Sequence, residues 1–420
     1  MTALDLGLGA DAPDEADAAP WTDPARHWPA LSAATAHLDA PVAALHLGAL
    51  RHNAADLVRR AGGTPIRVAS KSLRVRGVVE ALQRMPGYRG VLAYTLAEAL
   101  WLVGVGSVDD AVVGYPTADR SAIRRLATDS EAAAKVTLMV DSSDQLDLVD
   151  AVIAPDRREV VRVCLELDAS WRVPVLGHVG VRRSPVHDAA AAGELAALIA
   201  SRPGFRLVGV MSYEAQVAGM ADRPAGRPLV GVRNRWMKSR SMPELVGRRA
   251  RAVEAVREHA DLEFVNGGGT GSIEATAADP SVTEVAAGSG LFAGHLFDGY
   301  AGFSPAPAAA FAVDVVRSPS PDHATLLGGG WVASGPPGSD RLPRIAWPDG
   351  LRMLRHEGAG EVQTPVAGHG AGRLRTGDRV WLRHAKSGEL AEHVAAFSLV
   401  DGDRVVGDLP TYRGEGRAFL

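Results

Sequence analysis

The sequence predicts an α/β protein, a (β/α)8 TIM-type barrel followed by a C-terminal, mostly β domain. Three observations favour this architecture. Eight short apolar runs alternate with helical patterns between residues 66 and 288. Most of these runs are apolar throughout, as is typical of parallel strands covered on both faces. After Phe303 the content of Pro and Gly rises, and the apolar runs become short and bounded by turn residues.

The eight runs define the predicted barrel strands in chain order. Between them lie amphipathic patterns such as "VRGVVEALQRM", in which Val75, Val78, Val79 and Leu82 share one helical face. Eight alternating units favour a closed barrel, with an open doubly wound sheet as the competing architecture. The runs are "IRVAS" (66–70), "VLAYT" (91–95), "AVVGYP" (111–116), "KVTLMVD" (135–141), "VVRVCLELD" (160–168), "RLVGVMSYE" (206–214), "LEFVN" (262–266) and "VTEVAAG" (282–288).

The chain divides into three predicted parts. Residues 1–40 form an N-terminal extension that is partly disordered, since its first 28 or so residues are rich in Ala, Asp and Pro. Residues 41–300 form the barrel and residues 301–420 the β domain. The run "PVAALHL" (41–47) reads as a strand outside the barrel that pairs with the β domain, where "DGD" (401–403) predicts a hairpin turn.

Composition limits the classes of function. The 420 residues carry a formal net charge of −4, which excludes a basic nucleic-acid surface. The single cysteine, Cys164, excludes an intramolecular disulfide and a cysteine-based zinc site. No run of 18 apolar residues and no secretory signal pattern occurs. We therefore expect a cytoplasmic protein with no nucleic-acid or membrane partner.

Lys71 follows the first predicted barrel strand, in "TPIRVASKSLRVRG". The chemistry of parallel barrels lies at the C-terminal ends of their strands. A partly desolvated lysine amine at that position can form a Schiff base with an aldehyde. The alternative is a solvated lysine in a surface loop.

Glycine-rich turns follow strands seven and eight, in "NGGGTGSIE" (266–274) and "AAGSGLF" (286–292). Barrels often bind a phosphate at these two turns, because glycine lets backbone N–H groups approach the anion. Thr270 and Ser272 add hydroxyl donors. An amine after strand one and a phosphate site after strands seven and eight together suit pyridoxal 5'-phosphate.

At these positions the chain resembles the fold-type III pyridoxal-phosphate enzymes, which are alanine-racemase-like barrels, and among them the D-threonine aldolase and D-serine dehydratase group. The resemblance runs from about Pro41 to Val406. It implies that Lys71 binds the cofactor aldehyde, that the active protein is a homodimer, and that a set of turn residues surrounds the phosphate: Gly268, Gly269, Thr270, Gly271, Gly288 and Ser289. The motifs that carry it are "PIRVASKS", "AYTLAEALWLVGVG", "GVMSYEAQVAG", "VNGGGTGS", "EVAAGSGLF" and "GDRVWLRHAKSGE".

The resemblance also implies a polar residue near the pyridine nitrogen of the cofactor. Arg182 or Arg183, in "GHVGVRRSP", is the candidate, with Tyr213 behind it. The alternative for the two arginines is a solvated loop after strand five. The alternative for Tyr213 is a residue that only packs at the barrel rim.

The second domain departs from the family at the place where members hold a divalent metal. Their ligands are a His-x-Cys or His-x-Asp pair, whereas this chain has His384, Ala385 and Lys386. Since a lysine is a poor metal ligand, the metal is doubtful, and His384 is the only ligand position that matches. His384 or Lys386 is instead a candidate acid or base on a substrate hydroxyl. If this segment is a strand exposed to solvent, neither residue has that role.

These features predict an amino-acid lyase that acts on a β-hydroxy-α-amino acid by retro-aldol cleavage or by dehydration and deamination. One alternative is a racemase of the same fold, which needs a tyrosine as second base; Tyr412 and Tyr300 are the available tyrosines. Another alternative is a non-enzymatic protein that handles pyridoxal phosphate. The arginine-rich segment 226–252 reads as a lid, a dimer element or a solvated insertion.

Overall fold

A computed structural model describes Leu4, Leu6 and residues 19–174, 177–336, 338–386 and 388–420. Its strands are β1 (Val42–His46), β2 (Ile66–Ala69), β3 (Tyr88–Ala93), β4 (Ala111–Val113), β5 (Val136–Val140), β6 (Val161–Glu166), β7 (Trp171–Val173), β8 (Gly177–Val179), β9 (Phe205–Ser212), β10 (Phe264–Gly267), β11 (Glu284–Ala287), β12 (Ala309–Ser320), β13 (His323–Leu327), β14 (Arg344–Trp347), β15 (Arg352–Met353), β16 (Gln363–Ala367), β17 (Arg379–Arg383), β18 (Ala396–Asp401) and β19 (Arg404–Pro410).

Helices connect most of these strands. The α-helices are α1 (Pro24–Ala34), α2 (Leu47–Ala61), α3 (Arg76–Gln83), α4 (Leu96–Gly104), α5 (Arg120–Thr128), α6 (Ser130–Lys135), α7 (Ser143–Val152), α8 (Ala189–Ser201), α9 (Ala215–Ala218), α10 (Pro228–Arg257), α11 (Ile273–Ala277) and α12 (Ser289–Phe292). Short 3-10 turns occur at Pro20–Thr22, Ser70–Ser72, Pro155–Arg157, His295–Gly299, Ser339–Arg341, Ala371–Arg373 and Leu390–Glu392.

The predicted barrel is confirmed. The strands β2, β3, β4, β5, β6, β9, β10 and β11 pair in parallel in that order, and β11 closes on β2. Each of the eight predicted runs overlaps one of these strands. The predicted apolar face after the first strand is also buried, because Val75, Val78, Val79 and Leu82 have no solvent exposure. A feature that was not predicted is the β7–β8 hairpin, inserted between β6 and α8.

The β domain is one sheet in the described part of the chain, with β12 at its centre. Strand β1, near the start of the chain, pairs antiparallel with β12 and parallel with β18. Strands β18 and β19 form a hairpin in which Asp401 faces Arg404. Because β1 leads directly into α2 and the barrel, both ends of the chain contribute to this sheet.

The N-terminal extension is more ordered than we expected. We expected poor order up to about residue 28, yet α1 begins at Pro24, where the Asp23 side chain accepts a hydrogen bond from the Ala25 N–H. Trp28 is buried and packs against Trp381, with ring centroids 6.2 Å apart. Most of the segment before Ala19 lies outside the described residues.

The arginine-rich segment 226–252 belongs largely to a single helix. The sequence left this segment open as a lid, a dimer element or a solvated insertion, but α10 runs from Pro228 to Arg257. Its C-terminal half buries Leu245, Val253 and Val256. Its N-terminal half leaves Leu229 and Trp236 exposed. The C-terminal half of α10 therefore packs against the barrel, and the N-terminal half extends beside the barrel mouth.

A buried ion pair joins the first and last strands of the barrel. Arg67 of β2 is 1% exposed, and its Nε and Nη2 atoms donate to Glu284 of β11 at 2.6 and 3.0 Å. Its Nη1 and Nη2 atoms donate to Asp110 at 3.0 and 2.8 Å. Asn266 also donates to Glu284, at 2.9 Å. This network fixes how the barrel closes.

We expect the substitution Arg67→Met to lower the free energy of unfolding by about 3–5 kcal/mol, because Glu284 would be left as an uncompensated buried charge. Urea unfolding followed by linear extrapolation measures the change. Arg206→Gln is the control, since Arg206 pairs with Glu263 at the surface and exposed pairs contribute about 0–1 kcal/mol. Equal stability of the two variants would contradict this role of Arg67.

Candidate active site

A cavity of about 1160 Å³ lies at the C-terminal ends of the barrel strands, where the β domain faces the barrel. The predicted residues that line it are Lys71, Tyr213, Gly268, Gly269, Thr270, Gly288, Ser289 and Lys386. Residues that were not predicted also line it, among them Tyr94 and Tyr115. Side chains that follow strands β2, β4, β9, β10 and β11 thus meet at one site, as parallel barrel geometry requires.

Lys71 lies in the 3-10 turn that ends β2. Its neighbour Ser70 is fully buried and donates to the carbonyl oxygen of Leu92 at 3.2 Å, which leaves Lys71 to face the cavity. The β domain approaches from the other side, because a Cβ atom on Gly388 would lie only 2.0 Å from the Lys71 carbonyl oxygen. The turn is therefore held on both sides.

Tyr115 is the direct partner of Lys71. The Lys71 Nζ atom donates a hydrogen bond to the Tyr115 hydroxyl at 2.8 Å. Our sequence reasoning did not single out this tyrosine. A signal was present, because Tyr115 follows the apolar part of the third predicted run and so lies at the C-terminal end of a barrel strand.

The glycine-rich turn after β10 is organised by a buried carboxylate, Glu214. Glu214 is fully buried and accepts hydrogen bonds from the Gly268 N–H at 3.1 Å and from the Ser272 hydroxyl at 3.2 Å. It also accepts from the Thr276 hydroxyl. Arg249, equally buried, donates to Glu214 at 3.2 Å and balances its charge. The Glu214 side chain, which the sequence analysis did not single out, thus fixes the conformation of the turn.

This network changes which donors of the turn are available to a ligand. The Gly268 N–H is bound to Glu214, and the Gly269 N–H donates to the Ser272 hydroxyl at 3.2 Å. The Thr270 N–H has no acceptor among the described residues. Gly271 does not line the cavity, since a Cβ atom there would lie 2.2 Å from the Ala218 carbonyl oxygen. Thr270 is therefore the donor that the turn presents.

The two predicted turns are joined directly. The Thr270 Oγ1 atom accepts hydrogen bonds from the Gly290 N–H at 3.0 Å and from the Ser289 hydroxyl at 3.2 Å. Gly288 permits a close approach to the first strand, because a Cβ atom there would lie 2.5 Å from the Ala69 carbonyl oxygen. The turns after β10 and β11 form one cradle beside the Lys71 turn.

Of the two candidate arginines, Arg183 lines this cavity. Arg182 lines a separate surface depression with Arg172 and His178. The Arg183 guanidinium lies 5.5 Å from the ring centroids of both Tyr115 and Tyr213. Burial raises the pKa of nearby Glu166 to about 7, and the charge of Arg183 opposes that shift.

His384 and Lys386 have different environments. Strand β17 ends at Arg383, so the two residues do not alternate along a strand. His384 is 3% exposed and does not line the cavity, and burial lowers its pKa to about 3. This differs from our expectation of a histidine that titrates near neutral pH. Lys386 does line the cavity, and burial lowers its pKa, with the charge of Lys71 acting in the same direction.

The two tyrosines considered as a second base are both engaged in hydrogen bonds. Tyr412 is buried outside the cavity lining and donates to Glu98 at 2.8 Å, and burial raises its pKa. Tyr300 lines the cavity, but its hydroxyl donates to the Ala218 carbonyl oxygen at 2.8 Å. Within the described residues no group of three or more His, Cys, Asp and Glu side chains is arranged to hold a metal ion.

The fold and the cavity define the class of protein. A closed parallel barrel presents a lysine after its first strand and a cradle of paired turns after its last two, and a β domain adds a second lysine. The chain belongs to the alanine racemase N-terminal domain family, which matches residues 45–295. It is thus a member of the fold-type III family, whose members bind pyridoxal phosphate.

Solved structures resemble most of the chain. D-threonine aldolase from Filomicrobium marinum superposes with a TM-score of 0.75 at 19% identity, covering 90% of this chain and 96% of that one. D-threo-3-hydroxyaspartate dehydratase from Delftia sp. HT23 gives 0.67 at 20% identity, covering 89% and 97%. Alanine racemase from Corynebacterium glutamicum gives 0.54 at 19% identity, covering 82% and 90%. At these identities the likeness establishes the fold.

A search of curated protein sequences finds no match. None of the helices that the structure describes combines the length and the apolar character that crossing a membrane requires.

We expect Glu214→Gln to lower the free energy of unfolding by about 1.5–3 kcal/mol, the usual contribution of a hydrogen bond to a charged group. We also expect weaker binding of pyridoxal phosphate, by about tenfold for each 1.4 kcal/mol lost at the turn. Titration with the cofactor, followed by absorbance, measures this affinity.

Asp279→Asn is the matched control. Asp279 accepts from the same Arg249, at 2.7 Å, but none of its hydrogen bonds reaches the glycine-rich turn. It should lose stability and keep its cofactor affinity. If both variants lost affinity equally, Glu214 would not be the residue that organises the turn.

Proposed function

We propose that this protein is a pyridoxal-phosphate-dependent lyase that acts on a β-hydroxy-α-amino acid. The observation that carries the proposal is a second lysine, Lys386, in the same cavity as Lys71 and with a lowered pKa. A lyase of this kind needs one group at the cofactor and another at the substrate hydroxyl. Retro-aldol cleavage and dehydration with deamination both meet this description.

The residues of the cavity fit pyridoxal phosphate. Lys71 offers an amine, the cradle offers the Thr270 N–H, and a Cβ atom on Gly288 would close the approach to the first strand. Arg183, with Tyr213 beside it, is the candidate partner of the pyridine ring. When bound, the cofactor supplies an electron sink that weakens the bonds at the substrate α-carbon.

Lys71 and Tyr115 handle the proton at the cofactor end of the cavity. The hydrogen bond between the Lys71 Nζ atom and the Tyr115 hydroxyl orients the amine across the barrel mouth. In a dehydration, Lys71 would remove the α-proton of the substrate. In a retro-aldol cleavage, it would leave that proton in place and only bind the cofactor.

Lys386 acts on the β-hydroxyl of the substrate. Because burial lowers its pKa, a larger fraction of its amine is unprotonated at neutral pH than in an ordinary lysine. The unprotonated amine accepts the hydroxyl proton in retro-aldol cleavage. The protonated amine donates a proton to the leaving hydroxyl in dehydration. His384 takes no part in this mechanism, since it is buried outside the cavity lining.

The positions of the tyrosines favour a lyase over a racemase. A racemase needs two bases on opposite faces of the substrate α-carbon, but Tyr412 is buried against Glu98 and the hydroxyl of Tyr300 is occupied by a backbone carbonyl. Tyr115 binds the amine of Lys71 and so belongs to the same side of the cavity. We also propose a homodimer, as the family resemblance implies.

We expect the purified protein with pyridoxal phosphate to convert D-threonine or D-serine and to leave alanine unchanged. Aldehyde and glycine identify retro-aldol cleavage, whereas ammonia and a keto acid identify dehydration. Borohydride should trap the cofactor on the protein, and Lys71→Ala should abolish both the trapping and the activity. Inversion of alanine would identify a racemase, and trapping without any turnover a cofactor-handling protein.

We expect Lys386→Gln to lower kcat/KM by about 100-fold or more, within the range of general acid–base catalysis. If Lys386 is the base, the activity of the unaltered enzyme rises with pH as Lys386 loses its proton, and the variant loses this dependence. If Lys386 is the acid, the activity falls over the same range. The pH profile of kcat/KM shows whether the activity rises or falls with pH.

Lys135→Gln is the control, because Lys135 lies on α6, where it pairs with Asp109 and Glu131. Both variants should retain the absorbance of the bound cofactor. An unchanged pH profile in Lys386→Gln would remove Lys386 from the mechanism.

A further inference from the structure

The cavity is strongly electropositive in a chain that is acidic as a whole. The formal net charge of the protein is −4, yet Asp298 and Asp340 are the only carboxylates among the described residues that line the cavity. Both have cationic partners: Asp298 accepts from Arg344 and Arg383 at 2.9 Å, and Asp340 lies 3.9 Å from Arg341. The cavity therefore carries no unpaired negative charge from these residues.

Besides Arg183, five arginines of the lining have no carboxylate partner in the part of the chain that the structure describes. We call this set the arginine rim: Arg223, Arg227, Arg233, Arg352 and Arg355. Their side chains form no ion pair and no hydrogen bond with a described acidic side chain, whereas most buried arginines near the barrel do, as Arg60 does with Glu274. The rim thus has unused binding capacity for anions.

The rim has two arms that belong to different parts of the fold. Arg223 and Arg227 precede α10 and Arg233 lies on it, so these three belong to the barrel. Arg352 lies on β15 and Arg355 follows it, so these two belong to the β domain. Both arms border one cavity of about 1160 Å³, above the 300–1,000 Å³ usual for small-molecule pockets. A cleft lined by one sign of charge focuses its field on the ligand.

A neutral amino-acid substrate would leave much of this charge unmatched. The cofactor phosphate has the cradle of Thr270, and the substrate α-carboxylate needs about one guanidinium, since arginine binds a carboxylate in a bidentate manner. Several arginines of the rim then have no anionic group of the substrate to bind. All five rim arginines are exposed and line the cavity, so an anionic group that enters it can reach them.

We infer that the substrate carries a second anionic group, a carboxylate or a phosphate, on the side chain that bears the β-hydroxyl, and that the arginine rim binds it. This inference rests on the proposed lyase function and specifies its substrate class. The rim residues determine specificity; they do not touch the bonds that break.

Substrates that differ only in this group provide the test. In 3-hydroxyaspartate a carboxylate replaces the methyl group of threonine, and a phosphonate at the same carbon represents the phosphate class. We expect kcat/KM to be at least about tenfold higher for one anionic substrate than for threonine, a factor equivalent to 1.4 kcal/mol. This preference should shrink in 1 M salt, where the screening length falls to about 3 Å.

Two double variants test the two arms: Arg227→Gln with Arg233→Gln, and Arg352→Gln with Arg355→Gln. Each should reduce the ratio of kcat/KM between the anionic and the neutral substrate by about tenfold, mainly through KM. Arg240→Gln and Arg317→Gln are matched controls, because both arginines are exposed and neither lines the cavity. Arg240 lies on α10 and Arg317 on β12.

A binding measurement separates this inference from the lyase proposal. Calorimetry should detect tighter binding of succinate than of butyrate to the enzyme with its cofactor, and the rim variants should remove the difference. If threonine and its anionic counterparts react equally well in all variants, the inference is wrong and the lyase stands. If nothing reacts but succinate still binds through the rim, the lyase proposal fails instead. Rim variants that alter only the oligomeric state would also overturn the inference.

Discussion

The ion pair between Arg67 and Glu284 is the interaction on which the geometry of the site depends. It joins the first barrel strand to the last, where parallel pairing places Val285 opposite Ile66 and Ala287 opposite Val68. Lys71 follows Arg67 by four residues and Gly288 follows Glu284 by four. A shift in the register of this pair would therefore move the amine relative to the cradle, so a buried charge pair of modest net stability can still be decisive for geometry.

The cradle illustrates how a buried charge can organise a glycine-rich turn. Glu214 takes up donors that a glycine-rich turn would otherwise offer to an anion, and Arg249 keeps the carboxylate neutralised. The turn gains rigidity and presents fewer but better-fixed donors, which reduces the entropy lost on binding. Thr270 then links this turn to the one after β11, because its Oγ1 atom accepts a hydrogen bond from the Gly290 N–H.

The sequence was sufficient for elements that depend on local pattern. The eight runs, the lysine after the first strand and the two glycine turns follow from periodicity and from the rule that barrel chemistry lies at strand ends. It was insufficient where side-chain environment depends on distant packing. Glu214 looked like any polar residue after a strand, and His384 looked titratable because its local sequence gives no sign that it is buried. The length of α10 was missed because its exposed N-terminal half has no apolar periodicity that indicates burial.

The concentration of cations in the cavity couples proton binding to anion binding. Each positive group lowers the proton affinity of its neighbours, as the charge of Lys71 does for Lys386. An anion that enters has the opposite effect, and by linkage the protonation of Lys386 must strengthen anion binding to the same degree. In the proposed lyase, a substrate anion close to Lys386 would therefore favour the role of Lys386 as an acid and hence dehydration. An anion bound farther from Lys386 would favour its role as the base that retro-aldol cleavage requires.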